Sequence, residues 1–320
     1  MITVTHDSFA LARPFTISRG TKTHAHVLTV RIIRSGVTGW GECVPYARYD
    51  ESLESVTAQI AALPADITRH DLQAALPAGA ARNAVDCALW DWEAKLARRR
   101  VWDLAELGAP GPISVAYTLS LEDPETMRAQ AALHAHRPLL KIKLGTPDDM
   151  PRLEAVRQGA PTSRLIIDAN EGWSPEVYAD LAPRLVALGV ELVEQPLPAG
   201  KDDILAEMAR PLPVCADESC HDRKSLSALA GKYDVVNLKL DKTGGVTEAL
   251  ACRQRAREMG LKVMVGCMVG SSLAMAPASV VAQGADFCDL DAPLLLREDR
   301  SVTMDYDEDR LLPPDARLWG

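Results

Sequence analysis

The chain has 320 residues and carries 35 Lys plus Arg against 44 Asp plus Glu, a formal net charge of −9. With 47% apolar and 25% charged residues it has the balance of a soluble globular protein, not of a disordered one, and its acidic excess repels phosphate and argues against a nucleic-acid partner. A membrane partner is not expected either: the charge-free stretch from Val263 to Ala285 is broken by Gly266, Gly270 and Pro277 and reads as a buried strand, a turn and a core helix.

In chain order, the segment Met1 to Asp7 lacks the charged and apolar regions of a signal peptide. Val27 to Ile33 alternates along Leu28, Val30 and Ile32, which predicts a half-buried strand. Gly41-Glu42-Cys43 then leads into a loop with Pro45, Tyr46 and Tyr49. Val85, Leu89, Trp92 and Leu96 recur at helical spacing, so Arg82 to Ala97 reads as an amphipathic helix. Arg98-Arg99-Arg100 suits the negative end of that helix. Strands followed by helices suggest an α+β domain over residues 1–112.

From there apolar, β-branched runs begin near Ile113, Leu139, Leu165, Val190, Pro213, Val235, Lys262 and Asp286, at intervals of 22 to 27 residues. Segments of helical period lie between them, for example Met150 to Gln158, Val177 to Leu188 and Glu248 to Met259. Eight strands, each joined to the next by a helix, read as a closed parallel barrel over residues 113–320, with an open doubly wound sheet as the alternative. No Gly-x-Gly-x-x-Gly follows the first strand of either region, so a dinucleotide fold has little support. Seven cysteines at no repeating spacing point to reduced thiols and a cytoplasmic setting.

A barrel of this kind carries its active site at the C-terminal ends of the strands. Those ends read Lys141-Ile142-Lys143, Asp168-Ala169-Asn170, Glu194-Gln195-Pro196, Asp217-Glu218-Ser219, Lys239-Leu240-Asp241-Lys242 and, on the last strand, Asp289-Leu290-Asp291. Charges are costly to bury unless paired or bound to metal. Asp168, Glu194 and Asp217 would converge and repel, which a hard divalent cation resolves. An oxygen-only donor set favours Mg²⁺, or Mn²⁺ as a substitute. Lys143 and Lys242, on the second and sixth strands, stand across the barrel as two candidate bases. Such a pair suits removal of an α-proton from one side of a carbon and its return from the other, with the cation stabilising the enediolate. A Lys base beside Mg²⁺ is the arrangement of enolase-type sites.

With Lys141-x-Lys143, Asp168, Glu194, Asp217 and Lys242-Thr243-Gly244-Gly245, the sequence resembles the enolase superfamily in its muconate-lactonizing-enzyme-like branch. The resemblance implies an α/β fold: a modified (β/α)7β TIM-like barrel with an N-terminal α+β capping domain, a C-terminal tail that can return to the cap, and one Mg²⁺ per subunit. Asp289-Leu290-Asp291 resembles the signature of the dipeptide epimerases, and of the L-Ala-D/L-Glu epimerases among them. The resemblance assigns Lys143 and Lys242 as acid/base catalysts and Asp168, Glu194 and Asp217 as metal ligands. Lys141, Thr118 and Cys267 become substrate contacts, and Asp289 and Asp291 the clamp on the dipeptide's ammonium group. A capping loop, Ser18 to Lys22, offers Arg19 to an acidic side chain of the substrate, with Lys22 a weaker candidate.

The expected activity is Mg²⁺-dependent epimerisation of L-Ala-D-Glu and L-Ala-L-Glu, in the recycling of murein peptides. An o-succinylbenzoate synthase or an N-acylamino-acid racemase is the enzymatic alternative. A Mg²⁺-dependent dipeptide-binding protein is the non-catalytic one. The expected partner is a small dipeptide, and a homo-oligomer stays open.

Overall fold

The computed structural model describes residues 1–320. Two long strands open the chain. β1 (Ile2–Ile17) and β2 (Gly20–Arg34) pair antiparallel, and β3 (Val37–Cys43) folds back on β2. Ser35 and Gly36 both take positive φ, 51° and 73°, as a two-residue hairpin requires. The strand expected from Val27 to Ile33 is thus the second half of β2, and β1 is an element that its mixed composition did not announce.

Three helices cover one face of this sheet. α1 (Leu53–Ala61) starts at Ser52, whose hydroxyl accepts from Ser55 N, and α2 (Arg69–Ala75) starts at Thr68 in the same way. α3 (Ala80–Ala97) lies so close to β3 that a Cβ on Gly39 or Gly41 would meet Ala88 O or Ala84 O at 2.1 Å. This helix is buried around most of its girth, because β3 packs on one side and the barrel on the other. The expected amphipathic face is therefore not seen: the helix is buried all round up to Asp91, and Leu96, one of the predicted apolar-face residues, is exposed. A short helix α4 (Val101–Leu104) leads out of the cap.

The first apolar run resolves differently from expectation. β4 (Ile113–Ser114) pairs antiparallel with a strand from the chain's end, and the barrel begins at β5 (Tyr117–Leu119). The chain continues through α5 (Pro124–Leu133), β6 (Leu139–Lys143), α6 (Met150–Gly159), β7 (Arg164–Asp168), α7 (Pro175–Ala187) and β8 (Val190–Glu194). Then come β9 (Val214–Ala216), β10 (Val235–Leu238), a one-turn helix α8 (Leu240–Thr243), α9 (Val246–Glu258), β11 (Lys262–Gly266), α10 (Ser272–Val281) and β12 (Phe287–Asp289). β5 to β12 pair in sequence order, all parallel where paired, and Ala116 N donates to Cys288 O at 2.9 Å across the seam.

Two crossovers depart from the expected helix. Between β8 and β9, and between β9 and β10, the chain makes only single 3₁₀ turns, at Asp203–Ala206 and Leu226–Leu229. Pro196, Pro198, Gly200, Pro211 and Pro213 crowd the first of these crossovers, and proline removes helix hydrogen bonds. At the end of the chain β13 (Tyr306–Asp307) and β14 (Arg310–Leu311) close a small sheet with β4. The chain then returns to the cap, where Trp319 is fully buried and its Nε1 donates to Cys87 O at 3.0 Å. No helix is long and apolar enough to cross a membrane.

Candidate active site

Side chains alternate along a strand, and the barrel interior follows that period. Leu139, Ile166, Leu192, Cys215, Val235 and Met264 fill one apolar layer. Two residues further along the same strands stand Lys141, Asp168, Glu194, Asp217, Asn237 and Gly266. The barrel floor is therefore apolar and the layer above it is charged. Gly266 is small because Asn237 fills its space: an added Cβ would lie 2.7 Å from Asn237 Oδ1. Asn237 in turn donates to Glu194 Oε1 at 2.6 Å.

Asp168, Glu194 and Asp217 are all buried, and carboxylate oxygens from the three lie within 4.8 Å of one another. Lys141 Nζ approaches Glu194 Oε2 at 2.6 Å and Asp168 Oδ2 at 3.3 Å. Lys143 Nζ donates to Asp168 Oδ2 at 2.6 Å, and Lys239 Nζ to Asp217 Oδ2 at 2.7 Å. Burial opposes ionisation of Asp168, but Lys143 and Lys141 outweigh it and hold the group below the usual carboxylate range. Burial also opposes Asp217, and Lys239 and Lys242 hold it well below. Glu194 is pushed up by burial and by Asp168. Its Oε2 receives no aligned hydrogen bond despite the near ammonium of Lys141. Three buried carboxylates whose oxygens converge in an all-oxygen cluster fit a hard divalent cation.

Asp289 and Asp291 lie on the wall beside β5. Thr118 N donates to Asp291 Oδ2 at 2.6 Å, Thr118 Oγ1 to Asp289 Oδ1 at 3.3 Å, and Lys141 Nζ to Asp289 Oδ2 at 2.6 Å. Cys267 Sγ contacts Asp289 O at 3.3 Å. Burial, and then the neighbouring Asp289, push the Asp291 carboxyl up to about 7.

The cap supplies the roof. The β1–β2 turn and the loop around Tyr46 and Tyr49 close over a cavity of about 190 Å³. Arg19 and Lys22 line it from above, and Thr118, Lys143, Asp217, Lys239, Cys267, Asp289 and Asp291 line it from the barrel. Arg19 is already engaged. It donates to Asn170 O at 2.9 Å, Glu171 Oε2 at 3.1 Å and Glu218 Oε1 at 2.7 Å. Burial opposes its charge, but the Glu218 contact outweighs this and raises its pKa. Lys22 has no carboxylate partner; its Nζ lies 4.5 Å from the Tyr46 ring centroid, and burial lowers its pKa.

Two sequence expectations need correction. Lys242 does not sit on the sixth barrel strand and does not line the cavity. It lies on α8, its side chain fully buried, with Nζ donating to Asp217 O at 2.5 Å, Asp217 Oδ1 at 2.5 Å and Asn237 O at 3.1 Å. Lys239 takes the cavity position, because it continues the inward register of Val235 and Asn237. That two-residue period was the signal in the sequence that would have singled it out. Lys141 likewise lies beneath the cavity, with 1% of its side chain exposed, among Asp168, Glu194 and Asp289, and not on the cavity lining. Burial opposes its charge, yet these carboxylates push its pKa well up.

Gln195 was not singled out from sequence. It holds a left-handed φ of 36° after β8, and its Oε1 accepts from Asp217 N at 2.9 Å and Ser219 N at 3.1 Å. Glu171, with φ 66°, was also missed. It binds Arg19 from one capping loop and accepts two hydrogen bonds from Arg48 in the other.

Comparison with known proteins agrees with this architecture. Residues 1–107 match the mandelate racemase / muconate lactonizing enzyme N-terminal domain, and residues 126–316 the enolase C-terminal domain-like family. The chain is 47% identical over 288 residues to an N-acetyl-D-glutamate racemase of Pseudoalteromonas sp, covering 88% of this chain and 91% of the relative. It is 43% identical to the L-Ala-D/L-Glu epimerase of Escherichia coli (strain K12), covering 95% and 97%. A crystal structure of an enolase family member from Agrobacterium tumefaciens, with homology to dipeptide epimerases and with bound sodium and L-Ala-L-Glu, superposes with a TM-score of 0.98 at 52% identity, covering 100% and 99%. A dipeptide epimerase from Cytophaga hutchinsonii, complexed with Mg and D-Ala-L-Val, gives 0.91 at 27% identity, covering 98% and 92%. The chain therefore belongs to the enolase superfamily, in its mandelate racemase / muconate lactonizing enzyme branch.

Proposed function

We propose that the protein is a Mg²⁺-dependent dipeptide epimerase that inverts the α-carbon of the C-terminal residue, with L-Ala-D-Glu and L-Ala-L-Glu as its substrates. The observation that carries this reading is the pair of lysines lining one cavity. Lys143 ends β6 and Lys239 follows β10, four strands apart in an eight-stranded barrel, so they face the substrate from opposite walls. Asp168, Glu194 and Asp217 would hold the Mg²⁺. When bound, it supplies charge stabilisation for the substrate carboxylate as the α-proton leaves. Lys143 Nζ and Lys239 Nζ exchange the proton, one removing it and the other returning one to the opposite face. Lys242 and Gln195 act as positioning residues that fix Asp217. Lys141 holds Asp289 and adds positive charge beneath the substrate. Asp291 and Asp289 receive the dipeptide ammonium, and the capping loops exclude water.

A second reading has its own support. One relative is an N-acetyl-D-glutamate racemase, and here the charge of Asp289 is already met by Lys141 at 2.6 Å. An N-acylated glutamate undergoes the same proton transfer and needs no ammonium clamp. Proton NMR in D₂O with Mg²⁺ separates the two. Loss of the glutamate α-proton from L-Ala-L-Glu with a new diastereomer is expected, and exchange of N-acetyl-L-glutamate alone would reverse the order. Asp289→Asn weakens dipeptide binding and spares the N-acetyl substrate under the first reading; equal effects would remove the clamp. Reuse of murein peptides in the cytoplasm is the role that such an activity fits.

A further inference from the structure

The β1–β2 ribbon carries three histidines that the cavity does not use. His24 and His26 are two apart on β2, so their side chains leave the same face. Both are exposed, while Ala25 and Val27 point inward and are buried. In the ladder Ser8 faces His26 and His6 faces Leu28, which sets His6 diagonally beside His26 on that face. Farther along it, Leu28, Val30 and Ile32 pack under the helices. The histidines stand past this cover, in water.

His6 Nε2 and His26 Nδ1 are 3.2 Å apart, and the His24 and His26 rings stack with centroids at 6.1 Å. A tetrahedral Zn²⁺ with Zn–N bonds of about 2.0–2.1 Å sets its ligand nitrogens about 3.4 Å apart. Two imidazoles already stand near that edge. A bound ion requires the proton between these nitrogens to move to the other nitrogen of its ring and the two exposed rings to turn so that both lone pairs meet the ion. His24 Nδ1 meets Thr23 Oγ1 at 3.1 Å; in the tautomer whose Nδ1 donates to that hydroxyl, Nε2 carries the lone pair, and rotation of this exposed ring would turn it toward its neighbours. Burial, then His6, His24 and Lys22, lower the His26 pKa, which keeps lone pairs available at neutral pH.

We propose that His6, His24 and His26 form a surface site for a borderline divalent cation, Zn²⁺. Imidazole donors suit such an ion, whereas the carboxylates at the barrel mouth suit Mg²⁺. An ion held there ties β1 to β2 on the near side of the register break between Ala10 and Phe15, a short way from Thr21 and Lys22 over the cavity.

Isothermal titration of the full chain with Zn²⁺ alone, under saturating Mg²⁺, tests this site. The wild-type isotherm is expected to contain one site that His6→Gln and His26→Gln each weaken by at least about tenfold, while the exposed control His136→Gln leaves it unchanged. Circular dichroism of the variants checks that the exposed substitutions leave the fold intact. Absence of a Zn²⁺ site in the wild type, or a His26→Gln isotherm equal to the wild type, would overturn the proposal.

Discussion

At the scale of single residues, the two lysines after β10 separate by register. Lys239 continues the inward period of its strand, whereas Lys242 has turned onto α8 and is tied to Asp217 and to the Asn237 carbonyl. Lys239→Ala should lower turnover by about 10²- to 10⁴-fold, with α-proton exchange from one epimer affected more than from the other. Lys242→Ala should instead raise the Mg²⁺ concentration needed for half-maximal rate. Complete loss of exchange in Lys242→Ala at saturating Mg²⁺ would exchange their roles. A similar contrast applies to the roof. Arg19 is paired with Glu171 and Glu218, while Lys22 has no carboxylate partner, so Lys22 is the cation left for an acidic substrate side chain. Lys22→Ala should therefore raise KM for Ala-Glu more than for Ala-Ala. Equal changes for both dipeptides would assign the side chain to another group.

At the scale of elements, the cavity is assembled by loops that belong to different parts of the chain. Glu171, just past β7, accepts from Arg19 in the β1–β2 turn, from Arg48 near Tyr49, and from Ala199 N after β8. Both capping loops thus share one anchor on the barrel. Glu171→Gln keeps the shape but loses the charge that holds two guanidinium groups. It should raise KM several-fold, on the order of the 1 kcal/mol expected for a part-exposed ion pair, with little change in thermal midpoint. A steady-state comparison measures this, and an unchanged KM would mean that the loops close without the latch. The helical periods of α3, α6, α7 and α9 were legible in the sequence to within about two residues, the usual precision for helix ends. The missing helices after β8 and β9 were not, because strand spacing counts residues and not their conformation.

For the whole molecule, cap and barrel are joined by buried polar contacts. Glu42 accepts from Ser271 N at 2.7 Å and Arg300 Nη2 at 2.6 Å, and Asn83 donates to Asp241 at 2.8 Å. Asp86 of α3 accepts from Thr247 N at 3.0 Å and from Thr247 Oγ1 at 2.7 Å, at the start of α9. Burial pushes Asp86 up to about 6 from an ordinary 3.8. A raised folded-state pKa means that the native state binds the proton more tightly, so this group's contribution to stability falls as pH rises from about 4 to 6. Asp86→Asn removes that titration. Denaturation midpoints from pH 4 to 8 should show the wild type losing stability relative to the variant across this window, and a constant difference would contradict the assignment.

The barrel and the three carboxylates were legible in the chain's own patterns, and the aspartate pair in its resemblance to the dipeptide epimerases. Near-constant strand spacing and charges at successive strand ends are local patterns that survive without coordinates. The sequence also named Lys143 and Arg19 as residues of the cavity, where the structure places them. Which lysine after β10 reaches the cavity depends on where the strand ends and the helical turn begins, and that boundary came from the folded chain. Tertiary structure alone showed that Lys141 is spent on three carboxylates and that Arg19 is held by two glutamates. Such pairings join residues from 27 to 199 positions apart, Lys141 with Asp168 and Arg19 with Glu218 at the extremes, and no periodicity along the chain encodes them. The histidine cluster across β1 and β2 is of the same kind, because strand register sets it and it exists only once the chain has folded; the return of the C-terminal tail to the cap was expected, and the structure shows Trp319 making it.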